Sequence, residues 1–221
     1  MSDAVPTIVV VAAAAKDIAP DDPRGWRLGG GVSYSALTTA RLGVPTGAIV
    51  GVDAVTETAH ELDLLRDAGV DVRAVRLGQG PVFENIERPD GRLQHSEGPS
   101  DPVPIEAVPP GWADAPGWIL APVAAELPDA WAGVPSAAAT VAVGWQGLLR
   151  VLHRGAAVRH LPPSRQPILD RADLVGVSRD DLDRSIELAD LGRLLRPGAT
   201  LAVTQGDRGG LVMEAAADGI H

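Results

Sequence analysis

Residues 7–14 have the sequence Thr-Ile-Val-Val-Val-Ala-Ala-Ala, an unbroken apolar run near the start of the chain. A strand buried on both faces of a parallel sheet has this pattern, because neither face meets water. Similar short runs recur at 46–50, 70–75, 118–121, 140–143, 174–177 and 200–204. Helical patterns separate most of them, and strands that alternate with helices predict a mostly parallel sheet covered on both faces.

The segment 32–42 is predicted to be the first helix. Val32, Ala36 and Ala40 fall on one helical face, and Gly43 ends the pattern. A three-glycine stretch precedes this helix and predicts a tight turn at its start.

Two further helices are predicted from capping patterns. Thr58 and Glu61 have the spacing of a capping box, just before an apolar helical pattern. Ser178 and Asp181 are spaced in a similar way before another such pattern. The apolar residues on one helical face of that later pattern are Leu182, Ile186 and Ala189.

The alternation of strands and helices is interrupted between about 78 and 98. Two extended segments, 82–87 and 92–95, flank a turn pattern at 89–91 with the sequence Pro-Asp-Gly. We interpret this hairpin as a lid-like β insertion within a single α/β domain that spans 1–221.

Composition excludes several classes of function. The formal net charge of -10 disfavours nucleic-acid and membrane-surface binding, since both partners are anionic. Cysteine is absent, which excludes disulfides, thiolate zinc sites and thiol nucleophiles. The first apolar run is far shorter than the roughly 20 residues that cross a bilayer, and no basic leader precedes it. We expect a soluble, cytoplasmic protein.

Common catalytic motifs are absent from the sequence. It has no phosphate loop of the type G-x-x-x-x-G-K-[ST], no H-E-x-x-H and no G-x-S-x-G. The pair Gly29 and Gly31 lacks the third glycine of a dinucleotide fingerprint, because Tyr34 stands there. A dinucleotide-binding dehydrogenase domain therefore remains only as a third alternative, with Asp53 as its acidic residue.

Three corners of the chain are candidates for a ligand site. Gly30 and Gly31 precede a helix, whose first N–H groups are open to a ligand. The turn 204–210 follows a strand, and ligands of open α/β sheets bind beyond the carboxyl ends of strands. Asp17 lies just past the first strand, where a carboxylate can accept hydroxyl hydrogen bonds. Each corner also has a structural interpretation, as a tight turn, a β-turn or a solvated loop acid.

Taken in order, these segments resemble the PfkB family of carbohydrate kinases. The resemblance is carried by Asp17 after the first strand, by 30–36 with its glycine pair, and by 50–53, 65–70, 172–181 and 203–206. It implies a ribokinase-like fold: a three-layer α/β/α arrangement around a mostly parallel sheet, with a small β lid hairpin. It also implies that the C-terminal part of that fold is missing here.

The resemblance further implies an ATP-dependent kinase that uses Mg²⁺ and phosphorylates a sugar or nucleoside-like acceptor. Ribose, fructose phosphate, nucleoside and inositol all stay open as acceptors, and a homodimer through the lid is expected. The implied residues are Asp17, Gly30, Gly31 and Ser35 for the acceptor, Ser178, Thr204 and Gly206 for the nucleotide, and Asp181 for the metal, through water.

The chain departs from the family pattern at several positions. Ser35 replaces the Asn of the family's Gly-Gly motif, and Ser178 and Asp181 replace its Asn-x-x-Glu motif. No Gly-Ala-Gly-Asp segment, the source of the family's catalytic base, occurs in the sequence. We therefore expect the base beyond His221 and name no catalytic residue within the chain. A non-catalytic nucleotide- or polyol-binding module, or an inactive kinase fragment, is the alternative hypothesis.

Overall fold

The protein is described by a computed structural model that covers residues 4–88, 91–216 and 219–220. Its strands are β1 (Ile8–Ala13), β2 (Ala15–Ile18), β3 (Trp26–Gly29), β4 (Thr46–Val52), β5 (Asp71–Arg76), β6 (Val82–Arg88), β7 (Gly91–Ser96), β8 (Gly117–Leu120), β9 (Thr140–Gly144), β10 (Arg150–Val151), β11 (Ala156–Ala157), β12 (Arg159–His160), β13 (Leu174–Ser178), β14 (Thr200–Thr204), β15 (Gly210–Ala216) and β16 (Gly219–Ile220). The α-helices are α1 (Gly31–Arg41), α2 (His60–Asp67), α3 (Pro167–Asp170) and α4 (Leu188–Gly192).

The main sheet has nine strands within the described residues, in the order β16-β15-β14-β13-β9-β8-β1-β4-β5. Every pairing from β5 to β14 is parallel, and β15 and β16 add antiparallel pairings at one edge. This confirms the mostly parallel sheet that the sequence predicts. Strand β1 lies inside the sheet, and its residues Val9–Ala13 are fully buried, which explains the unbroken apolar run.

The two faces of this sheet are covered differently. Helix α1 packs over β1 and β4, and α2 contacts α1 and β5. Small and branched residues such as Val10, Ala12 and Val50 form the core on this face. Tryptophans contribute to the core on the opposite face, with Trp118 and Trp131 at a ring-centroid distance of 6.4 Å. None of the helices in the described part of the chain is long and apolar enough to cross a bilayer.

A smaller five-stranded sheet lies beside the main one, in the order β11-β7-β6-β2-β3. Strands β6 and β7 fall in the segment predicted to be a lid hairpin, while Pro89 and Asp90 of its predicted turn lie outside the described residues. Strands β2, β3 and β11 are not predicted from the sequence. The chain passes from β1 into β2 at Ala14, so one extended segment serves both sheets.

The capping box predicted at Thr58 and Glu61 is wrong. Helix α2 begins at His60, its N-cap residue is Ala59, and no described side chain caps it. The Glu61 carboxylate instead accepts hydrogen bonds from the Arg24 guanidinium, at 2.7 and 2.9 Å. The two charged hydrogen bonds from Arg24 are stronger than the bond that Glu61 would make to a backbone N–H in a capping box, so the carboxylate turns towards Arg24.

The helix predicted after Ser178 is also wrong over most of its length. The Ser178 hydroxyl does cap, accepting from the N–H of Asp180 at 3.2 Å, but only for a single 3₁₀ turn. Asp183 then accepts hydrogen bonds from the N–H and hydroxyl of Ser185, at 2.8 and 2.6 Å. This local turn takes backbone groups that a helix would need, and regular helix resumes only at Leu188.

Candidate active site

A cleft of about 690 Å³ lies between the small sheet and the carboxyl ends of the main-sheet strands. Ligands of open α/β sheets bind in this position. The cleft is lined by Ala15, Asp17, Gly30, Gly31, Tyr34, Phe83, Asn85, Leu93, Gln94, Val123, Gln146, Arg150, Val158, His160, Ser178, Asp180 and Asp181.

Asp17 enters the cleft from the small sheet. It lies within β2, as the register partner of Arg27 on β3 and of Phe83 on β6, so it is a strand residue and not the loop acid that the sequence suggests. A Cβ atom at Gly29 would overlap the Asp17 carboxylate. The glycine therefore leaves the space that this carboxylate occupies.

The corner at Gly30 and Gly31 brings the start of α1 against the crossing between the two sheets. Gly30 has φ +97°, and a Cβ there would lie 3.0 Å from both the carbonyl oxygen of Ala13 and the amide nitrogen of Ala15. Among the described residues, no side chain caps the N-terminus of α1. Its first-turn N–H groups are thus available at the wall of the cleft.

An amide pair faces the cleft from the small sheet. Asn85 and Gln94 are register partners on β6 and β7, and the Gln94 amide nitrogen donates to the Asn85 side-chain oxygen at 2.8 Å. Side-chain amides both donate and accept hydrogen bonds, which suits hydroxyl groups. Neither residue belongs to a recognisable motif, so this pair is not predicted from the sequence.

The floor of the cleft contains a buried ion pair between Arg150 and Asp181. Arg150 Nη2 lies 3.3 Å from Asp181 Oδ1, and Gln146 Nε2 donates to both oxygens of that carboxylate, at 3.1 and 3.3 Å. Burial lowers the pKa of the Arg150 guanidinium, while the nearby carboxylate of Asp181 opposes that shift. Sequence reasoning missed Arg150 and Gln146, because the contact between them and Asp181 exists only in three dimensions.

Glu126 is fully buried behind the same floor. Its carboxylate accepts hydrogen bonds from the N–H groups of Ala13 at 3.0 Å, Val123 at 3.1 Å and Ala124 at 2.7 Å. Burial raises the pKa of the Glu126 carboxyl, and these hydrogen bonds act in the opposite direction. Ala125, between the bonded residues, has φ +57°, a conformation that costs a non-glycine residue energy and is imposed by this tight loop.

The structure brings most of the predicted site residues together. Those that line the cleft are Asp17, Gly30, Gly31, Ser178 and Asp181. Ser35 lies one turn further along α1, and Thr204 is the register partner of Ser178 on the adjacent strand. Gly206 follows in the exposed turn after β14. As far as the described residues define the cleft, these last three do not line it.

The donor set around Asp181 does not fit a directly bound Mg²⁺ ion. Both of its carboxylate oxygens already accept N–H groups, and Mg²⁺ requires free oxygen ligands in octahedral geometry. Within the described part of the chain, no group of three or more His, Cys, Asp or Glu side chains could hold a metal ion.

Comparison with known proteins identifies the fold. No protein-family model matches the chain, and no curated protein sequence matches it. A pyrophosphate-dependent kinase in the ribokinase family, complexed with a pyrophosphate analog and myo-inositol, matches with TM-score 0.72 and 21% identity over 95% of this chain and 78% of that one.

Two further solved structures match over similar lengths. Fructokinase from Xylella fastidiosa has TM-score 0.60 and 17% identity over 94% of this chain and 75% of its own. Ribokinase from Thermotoga maritima has TM-score 0.60 and 12% identity over 98% of this chain and 76% of its own. The chain therefore has the ribokinase-like fold that the sequence resemblance predicts, and its structural neighbours are kinases of that family.

Proposed function

We propose that this chain is a PfkB-type carbohydrate kinase that phosphorylates a sugar or a related hydroxylated small molecule. One observation carries the proposal: Asp17, the Gly30–Gly31 corner and the Ser178–Asp181 turn line a single cleft. They come from distant parts of the sequence, and the family resemblance implies acceptor and donor roles for them. Phosphoryl transfer depends mainly on positioning the two substrates and on neutralising charge. A single cleft lined by both sets of residues can hold the acceptor next to the donor.

The chemistry of the cleft favours an uncharged polyol as the acceptor. The Asp17 carboxylate can accept hydrogen bonds from hydroxyl groups, and the amides of Asn85 and Gln94 can both donate and accept. Asp17 and Asp180 would repel the phosphate of a sugar phosphate. The structural neighbour with TM-score 0.72 was solved with myo-inositol, which makes that cyclitol the first compound to test.

We assign the donor to the neighbouring strand ends. Ser178 and Thr204 are register partners on β13 and β14, and Gly206 follows in the next turn with φ +62°. ATP with Mg²⁺ is the proposed donor, with the metal held by phosphate oxygens and water instead of by direct contact with Asp181. The metal would neutralise charge on the transferred phosphate. No residue of this chain is assigned as the catalytic base.

A coupled phosphorylation assay tests this function. The purified chain is incubated with Mg²⁺ and ATP, or with pyrophosphate in parallel, and with myo-inositol, ribose, fructose, adenosine or fructose 6-phosphate. Because no residue of the chain is assigned as the base, we expect turnover of an uncharged polyol to be slower by about 10²- to 10⁴-fold than in a site with a positioned base. We expect no turnover of fructose 6-phosphate. Absence of both turnover and measurable polyol binding across the panel would refute the proposal.

A non-catalytic nucleotide- or polyol-binding module, or an inactive kinase fragment, is the second candidate. Ser35 and Ser178 stand where the family pattern has Asn, and no Gly-Ala-Gly-Asp segment occurs in the sequence. This candidate predicts calorimetric binding of the polyol and of ATP without phosphorylated product. Any acceptor-dependent turnover eliminates it.

We further propose that the protein is cytoplasmic and forms a homodimer through the small sheet. Asp17 and Asn85 face the cleft, so alternation along the strands places Ile18, Val82 and Ile86 on the opposite face, where all three are half-buried. Light scattering should then give twice the chain mass. The Ile86→Glu variant should be monomeric, and a monomeric wild type would contradict the proposed dimer.

A further inference from the structure

The buried pair in the floor of the cleft is fixed by several contacts. The side chains of Arg150 and Asp181 are only 6% and 8% exposed. Asp181 Oδ1 accepts from Arg150 Nη2 and Gln146 Nε2, and Asp181 Oδ2 accepts from Gln146 Nε2. The side chains of Arg150 and Gln146 therefore direct N–H groups at the two Asp181 oxygens, which are the atoms that a metal ion would have to bind.

The guanidinium of Arg150 also reaches the opposite side of the floor. Its Nη1 donates to the carbonyl oxygen of Val123 at 3.4 Å, and its Cζ lies 5.4 Å from the centroid of the Phe83 ring. Its buried Nε has no hydrogen-bond partner among the described residues. A buried cation with an incomplete set of acceptors depends strongly on its counter-ion, because removing one partner of such a pair leaves an uncompensated charge.

The peptide units flanking Val123 are held from two sides. The N–H of Val123 donates to the buried Glu126 carboxylate, and its carbonyl oxygen accepts from Arg150. The backbone of Gly147 packs directly below, since a Cβ there would lie only 2.5 Å from the Val123 nitrogen. Val123 itself lines the cleft, so the position of this loop sets the shape of the floor.

We propose that Asp181 is the counter-ion of Arg150 instead of a metal ligand, and that Arg150 is a positioning residue that holds the Val123 loop against the acceptor. This inference depends on the proposed function in one respect, namely that the cleft is the site where the acceptor binds. It departs from the family resemblance, which implies that Asp181 interacts with the metal through water.

The first test measures coupling between the two side chains. Urea unfolding is compared for wild type, Arg150→Met, Asp181→Asn and the double variant. We expect each single variant to lower the midpoint and the double variant to lose clearly less than the sum of the two losses. Additive losses would overturn the pairing, and because the measurement needs no ligand, it stands whatever the chain phosphorylates.

The second test separates positioning from stability with Arg150→Lys. Lysine keeps a positive charge that can pair with Asp181. Its ammonium group lacks the planar guanidinium with which Arg150 also donates a hydrogen bond to the Val123 carbonyl oxygen. We expect an unfolding midpoint near that of wild type, with myo-inositol affinity weakened by about tenfold or more in calorimetry. Hydrogen exchange of the loop amides should be faster than in wild type, a readout that needs no ligand. Unchanged exchange in this loop would refute the positioning role.

The third test addresses the metal directly. Mn²⁺ binding is followed by electron paramagnetic resonance, alone and with a non-hydrolysable ATP analogue, in wild type and Asp181→Asn. We expect the same Mn²⁺ affinity in both proteins. Loss of Mn²⁺ binding in Asp181→Asn alone, with Arg150→Lys unaffected, would establish a metal ligand and overturn the inference. Failure of the wild type to bind any polyol would instead count against the proposed function.

Discussion

A Cβ atom at Gly31 would lie 2.8 Å from the carbonyl oxygen of Ala121. Gly31 is the first residue of α1 and lines the cleft, and Ala121 directly follows the last residue of β8. The absence of a side chain at Gly31 therefore lets the helix approach the sheet closely enough to form the wall of the site. Close packing of α1 against the sheet therefore requires glycine at position 31, whether or not a ligand binds there.

Replacing Gly31 by alanine should damage both the fold and the site. We expect Gly31→Ala to cost about 1 to 3 kcal/mol in the free energy of unfolding, because α1 and the Ala121 backbone must move apart. Polyol affinity should fall as well. Gly176→Ala is the matched control, since within the described part of the chain a Cβ there would meet no atom within 4 Å. Equal effects of the two substitutions in urea titrations would contradict this explanation.

Asp17→Ala should abolish acceptor binding and leave the fold intact. The variant removes the carboxylate that faces the cleft but keeps the backbone pairing of β2 with β3 and β6. Calorimetry with myo-inositol and circular dichroism measure the two properties separately. Asp67→Ala, on the exposed end of α2, controls for the loss of one negative charge. Retained polyol affinity in Asp17→Ala would show that the acceptor binds elsewhere.

Stability should fall in acid because of the cluster formed by Arg24, Asp22 and Glu61. Hydrogen bonds from Arg24 lower the pKa of Glu61 from 4.5 to about 2, and they lower the pKa of Asp22 to about 2 as well. The folded state therefore holds these protons more weakly than the unfolded chain does. This stabilisation is fully present above the ordinary carboxyl pKa values and is lost as the pH falls towards about 2.

The Glu61→Gln variant isolates this effect. It should cost about 1 to 2 kcal/mol at neutral pH, since it removes the charged bonds to Arg24. Its urea midpoint should depend less on pH than that of wild type between about pH 7 and pH 3. Parallel pH profiles for the two proteins would rule out the cluster as a source of acid sensitivity.

Glu126→Gln should be strongly destabilising although it replaces only one non-hydrogen atom. The amide nitrogen of glutamine would face an N–H donor, at Ala124 or at Ala13, where the carboxylate oxygen now accepts. We expect a loss of about 2 to 4 kcal/mol, because a buried donor is left without an acceptor. Exposed Glu214 provides the control, and its Gln variant should unfold like wild type in urea.

The main sheet could be predicted because its strands carry their own pattern. Continuous apolar runs such as 7–14 and 174–177 correspond to β1 and β13, and glycines mark the ends of the intervening segments. The small sheet was only partly predictable. Strand β3, with the sequence Trp-Arg-Leu-Gly, is too short to show a period, and it forms by pairing with β2.

The residues of the candidate site likewise fall into a group that could be predicted from the sequence and a group that could not. The glycine corner and Asp17 belong to an ordered set of motifs, so their approximate place could be predicted from the sequence. The side-chain hydrogen bonds of Arg150 and Glu126 join residues that are 27 or more positions apart, except for the local bonds of Glu126 to Val123 and Ala124. No local pattern encodes such contacts, because they depend on which strand ends become neighbours in the sheet.

Strand β2 also carries the chain's single lysine, Lys16, directly beside Asp17 and on the opposite face of the small sheet. Its ammonium lies 6.0 Å from the centroid of the Trp26 ring. An amine-reactive fluorophore therefore attaches to one side chain only, next to a natural indole quencher, once the more acidic α-amino group has been blocked with an unlabelled reagent near neutral pH. The protein thus has a built-in reporter position, from which changes in the surroundings of the small sheet on ligand binding can be measured without engineering a label.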